Sequence, residues 1–120
     1  MNCMALYYNL PVYKDTYQLI MLIYEVTRQF PREYKYSLGQ DMKRDAMELV
    51  RSIYRANRSL EKKRFLEEYL EQFELLKLEI RIAHDLRVLG LKNYADISVL
   101  MDNIGKQVTG WKNYVENTEQ

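Results

Sequence analysis

Turn-forming residues are scarce in this chain, with four glycines and two prolines among 120 residues. Many short strands would need more tight reversals, which favour Gly, Pro and Asn, so a few long helices are expected. Cysteine is nearly absent. Cys3 stands alone, has no partner for an internal disulfide, and fits a reducing cytoplasm. Histidine occurs once, at His84, so a histidine-based metal site has no second histidine to draw on. The longest uninterrupted apolar run is residues 19–24, far below the roughly 20 residues that span a bilayer. No basic stretch precedes a hydrophobic one at the start, as a secretory signal would require. These absences predict a cytoplasmic protein with no membrane partner.

The residues present suit a single folded domain over 1–120, with 48% hydrophobic and 29% charged. Four helices follow from period and punctuation, at about 11–29, 40–56, 60–89 and 94–114. Leu19, Leu22, Ile23, Val26 and Phe30 mark one face of the first, which Pro11 opens and Pro31 closes. Ser37 to Gln40 reads as a capping box for the second, whose apolar positions are Met42, Ala46, Leu49, Val50 and Ile53. The third repeats at Leu66, Tyr69, Phe73, Leu76, Ile80 and Ala83, with Gly90 placed as its left-handed terminator. About thirty residues would make it a rod of roughly 45 Å, the longest of the four. The fourth, with Asn93 as its cap, carries Ile97, Leu100, Met101, Ile104, Val108, Trp111 and Val115. Gly110 within it suggests fraying or a close backbone approach. Short links between such helices predict an all-α, up-down antiparallel four-helix bundle. Leu75, Leu78 and Ile82 lie off the third seam, and that surplus apolar surface suggests self-association.

Catalytic chemistry leaves no mark. Glu67, Glu68, Glu71 and Glu74 read as a solvated helix face, because carboxylate-bridged metal bundles add Glu-x-x-His pairs and none occurs here. No glycine-rich phosphate loop or Ser/His/Asp arrangement is present. The expectation is a non-enzyme without metal or cofactor.

Charge is uneven beneath a formal net of +1. Residues 28–64 hold eleven Lys/Arg against five Asp/Glu, whereas 65–120 hold six against ten. Arg44, Arg51, Arg55 and Arg58 share one helical stripe, and Lys62 and Lys63 carry positive charge into the next turn. Arginine forks onto phosphates. Arg32 and Lys35 precede the stripe in what reads as a loop, beside Tyr34 and Tyr36, whose rings could stack on unpaired bases. Asp41 and Glu48 lie on the same stripe at ion-pair spacing. Nucleic-acid contact and protein contact therefore both stay open on the residues alone.

The order LPVYKDTYQLI, FPREYKYSLGQDMKRDAMELVRSIYRAN, EIRIAHDLRVLGLKNYADIS and a late GW resembles a known family. It is similar to the four-helix-bundle proteins encoded in bacterial rRNA intervening sequences, and most like the accessory variability determinant (Avd) of diversity-generating retroelements. The likeness covers residues 10–114. It implies a ring-like homopentamer that associates with a reverse transcriptase, binds nucleic acid and supports mutagenic copying of template RNA into cDNA. It further implies that Arg32, Lys35, Lys43, Arg44, Arg51, Arg55 and Arg58 lie on the nucleic-acid surface. The chain departs from that branch in being nearly neutral where Avd proteins are strongly basic, which shifts weight toward polymerase contact. The alternatives are an intervening-sequence-type bundle of unknown role and a structural adaptor without nucleic-acid contact.

Overall fold

Helix α1 (Pro11–Thr27) opens on proline, whose missing amide hydrogen would have no helical partner in the first turn. The computed structural model describes residues 9–118, so Cys3 lies outside it, and among the described residues there is no strand. α1 stops at 27 rather than 29 because its last turn tightens. Gln29 and Phe30 donate to the carbonyls of Val26 and Thr27, three residues back. Thr27 Oγ1 donates to the Ile23 carbonyl at 2.7 Å.

The segment read as a loop contains a one-turn helix, α2 (Arg32–Lys35). The Pro31 carbonyl accepts from the amides of Tyr34 and Lys35, both at 2.9 Å, and organises it. α3 (Leu38–Arg58) then begins at 38 rather than 40 and runs two residues past the expected 56. The expected capping box does not form, because the Ser37 hydroxyl turns back to the Glu33 carbonyl at 2.8 Å. Gly39 matters for space instead. A Cβ there would sit 3.3 Å from the Tyr34 carbonyl oxygen, so a bare backbone lets α3 approach the α2 turn.

α4 (Lys62–Asp85) ends at 85 rather than 89, and its terminator is not Gly90. Arg87 takes the left-handed conformation, with φ at 65°. Its amide bonds the His84 carbonyl at 2.9 Å and the Val88 amide bonds the Ala83 carbonyl at 3.0 Å, the paired bonds of a Schellman motif. His84 Nδ1 donates to the Leu89 carbonyl at 3.1 Å, and its ring stacks on Tyr94 at 4.2 Å, pinning the same turn. Gly90 serves the following helix. α5 (Leu91–Thr118) starts at 91 rather than 94, and the Gly90 carbonyl accepts from the Tyr94 amide in its first turn. Asn93 therefore lies inside the helix, not at its cap. α5, with 28 residues against 24 in α4, is the longest helix, and it runs through to Thr118 past the expected 114. Gly110 has open space around its Cα, so no backbone approaches it closely.

Four long helices pack around one core, with α1 on α3, α3 on α4, α4 on α5 and α5 back on α1. α1 and α4 thus occupy diagonal corners of a body 51 × 19 × 19 Å. The seam residues read from the sequence fill that core. Leu19, Ile23, Met42, Leu49, Ile53, Leu76, Ile104 and Val108 are completely or almost completely covered, whereas Leu22, Val50, Leu100 and Trp111 are half-buried at its margin. Tyr69 reaches across the diagonal, where its hydroxyl shares a 2.8 Å hydrogen bond with Thr16 Oγ1 in a fully buried setting. Burial pushes the Tyr69 hydroxyl far above its usual pKa, opposed in part by that bond. Gln107 on α5 donates to Asp15 on α1 at 2.6 Å and closes the ring of helices.

The left-handed Arg87 is strained by its Cβ, a cost glycine does not incur. Arg87→Gly should therefore raise the unfolding free energy by about 0.5–1 kcal/mol with an unchanged denaturant slope in urea titration. A drop in the urea midpoint would show that the Arg87 side chain stabilises the turn.

Candidate nucleic-acid and partner surface

Helical spacing sets Arg44, Arg51, Arg55 and Arg58 along the outer side of α3, and all four are exposed. The stripe spans about 20 Å of helix. Its charge is partly neutralised in place. Arg44 contacts Asp41 Oδ1 and Asp45 Oδ1, each at 3.2 Å, and Arg51 contacts Glu48 at 3.2 Å. The Arg44–Asp41 and Arg51–Glu48 pairs join exposed partners and are worth less than about 1 kcal/mol each, so a polyanion can displace them, whereas Asp45 is buried. Arg58 Nη1 donates to the Tyr54 hydroxyl, and its guanidinium lies over that ring at 5.1 Å. Arg55 lines a groove between α3 and α4 together with Glu48, Glu68 and Glu71. A second, shallower hollow is bounded by Tyr54, Arg55, Arg58 and Phe65.

The other basic candidates are dispersed. Arg32 is exposed and Lys35 half-buried on α2, at the end of α3 remote from Arg58. Tyr36 is 69% exposed and open to stacking, whereas Tyr34 is half-buried and packs against the core. Lys43 turns toward α1, where its ammonium lies 5.4 Å from the Tyr24 ring centre. Lys62 is engaged in the fold, since its ammonium donates to the Ala56 and Asn57 carbonyls at 2.9 and 3.0 Å. There it caps the end of α3, where exposed carbonyls gather negative charge. Lys63 points to α5 and pairs with Glu116 at 3.8 Å. The structure thus lines up Arg44, Arg51, Arg55 and Arg58, whereas Lys43, Lys62 and Lys63 are engaged with the α1 ring, the α3 carbonyls and α5.

Two apolar patches flank the bundle. On α4, Leu75, Leu78 and Ile82 are 43%, 54% and 38% exposed. On α1, Tyr17, Met21 and Tyr24 are 54%, 55% and 46% exposed, a stripe that sequence reading passed over although its i, i+4, i+7 spacing was visible. The two patches project from diagonal corners, hence to opposite sides. Lys14, Glu25, Arg28 and Lys43 border the α1 patch, and Arg64, Glu68 and Glu71 continue the α4 face.

Sequence reading also missed two acids in the helix seams, Asp45 and Glu79, which are only 4% and 8% exposed. Asp45 sits between Met42 and Leu49, and Glu79 between Leu76 and Ile80, so spacing alone placed both on buried faces. Among the described residues no three His, Cys, Asp or Glu side chains converge as a metal-binding group would. No helix among them is long and apolar enough to cross a membrane.

A family model described as bAvd-like matches residues 11–115, which takes in all four long helices except the last residues of α5 and the whole arginine stripe. No curated protein matches the chain significantly. The match covers most of the sequence and accords with its four-helix build, and the chain belongs to the bAvd-like family.

Proposed function

We propose that this protein is a non-enzymatic accessory subunit of a diversity-generating retroelement. In this reading it assembles as a cytoplasmic homo-oligomer, a ring of about five copies, and binds the element's reverse transcriptase and template RNA during mutagenic cDNA synthesis. The family match over residues 11–115 carries the reading. The surface supports it in two ways. Exposed arginines in a line suit a phosphate backbone, and the weak Arg44–Asp41 and Arg51–Glu48 pairs yield readily to a polyanion. Dissimilar apolar patches on opposite sides suit head-to-tail contact between copies, which closes into a ring when the rotation allows. The border of the α1 patch is basic on balance, with Lys14, Arg28 and Lys43 against Glu25, and the α4 stripe is acidic on balance, with Glu68 and Glu71 against Arg64, which favours that pairing. An adaptor without nucleic-acid contact is the second reading, favoured by Asp41 and Glu48 within the arginine stripe.

Light scattering should give a mass near five times the 14.5 kDa protomer. Met21→Asp on one patch or Leu78→Asp on the other should each lower that mass while helical content stays intact. A monomeric parent protein would exclude the ring, and an unchanged mass in both variants would move the contact elsewhere.

RNA binding should weaken steeply with salt, and replacing Arg51, Arg55 and Arg58 together by Ala should reduce both affinity and salt dependence. The slope of log K against log salt should fall by about 0.7 for each phosphate no longer neutralised. Binding unaffected by the triple change would place RNA on another face. Absence of binding at low salt would leave the adaptor reading standing.

A further inference from the structure

The α3–α4 interface buries one acid from each helix, and the two side chains meet there. Asp45 on α3 is 4% exposed and Glu79 on α4 is 8% exposed. Asp45 Oδ1 receives Arg44 Nε at 3.2 Å, which leaves Oδ2 as a buried oxygen without a donor. Glu79 Oε1 is likewise buried and without a donor. Two ionised carboxylates in contact would repel, and neither could satisfy the other, since an ionised carboxylate only accepts hydrogen bonds. A carboxylic acid donates one. A single proton placed between the two groups satisfies both orphaned oxygens and removes one buried charge.

We propose that Asp45 and Glu79 form a proton-binding site at the α3–α4 interface, holding one shared proton that ties the two helices and leaving as the medium turns alkaline. Glu79 is the group that carries the proton. Burial comes first in raising its pKa, followed by the hydrogen bond to Asp45 and the charges of Asp45 and Asp41, with Arg44 opposing, and the result is about 8. Asp41, Arg44 and Asp45 all come from α3; among the described residues, α1, α2 and α5 add no member to that set. From α4 itself the group is Glu79.

The sign of the effect follows from proton linkage. Between about 4.5, the ordinary value, and about 8 the folded chain keeps a proton that the unfolded chain has lost. Stability from this site is therefore complete below the lower value and declines as pH rises through the window. Above about 8 both states are ionised and the decline ends. The site binds a proton irrespective of whether the chain serves a retroelement, so its test is independent of that function.

The direct test is unfolding of the full chain by urea at fixed protein concentration across pH 4 to 9, comparing the parent with Glu79→Gln. Glutamine keeps the donor to Asp45 but does not titrate. The ratio of the parent's folding constant to the variant's should fall by up to about tenfold per pH unit within the window and level off above it. A ratio independent of pH would overturn the proposal. A carbon NMR titration of the parent protein reads the site with no substitution, so the proposal stays testable if the variant does not fold. A Glu79 carboxyl inflection near 8 is expected, and one in the ordinary carboxylate range would overturn it.

Discussion

The fold depends on what α4 buries. It is covered on two sides, by α3 and by α5, and it reaches the diagonal helix through the Tyr69–Thr16 hydrogen bond. Leu66, Tyr69, Phe73, Leu76, Ile80 and Ala83 are spent on that burial, which leaves one outward strip for any other purpose. The strip carries Leu75, Leu78 and Ile82. A helix that supports the bundle therefore also offers its apolar surface, and α1 at the opposite corner offers the tyrosine and methionine patch. Geometry of this kind links the core to the proposed assembly: the diagonal that Tyr69 spans inside is the direction along which copies would follow one another.

The long-range plan was legible because it rests on periodicity. Burial of each seam follows from spacing that repeats every three and four residues, and Met42, Leu49, Leu76 and Ile104 occupy the places spacing assigns them. Helix ends were less legible, because they are settled by competition among nearby hydrogen-bond partners. Ser37 had two possible acceptors or donors within a turn and took the Glu33 carbonyl. Gly90 and Arg87 both lay near the end of α4, and Arg87 took the left-handed position despite its Cβ, with the ladder from Ala83 and His84 holding it there. Lys62 looked like surface charge until the chain reversal brought it over the last carbonyls of α3.

Charge was the part read least completely. A stripe of arginines is a one-helix property and can be counted from sequence, but the acids that oppose it arrive from other turns and other helices. Glu68 and Glu71 face Arg55 only once α4 packs on α3. The buried meeting of Asp45 with Glu79 is likewise a product of helix register, and no single segment reveals it. The α3–α4 contact thus contains both an outer groove of mixed charge and an inner pair of acids. Arg44 links the inner pair to the surface, standing 64% exposed while holding Asp45.

The proposed function makes this bundle part of a polymerase complex. It is tested most directly by producing the chain together with the reverse transcriptase of its own genetic element and isolating the polymerase. The bundle should co-purify in a fixed ratio and remain bound after nuclease treatment, as a protein–protein contact would. A polymerase that emerges alone, with and without its template RNA present, would contradict it.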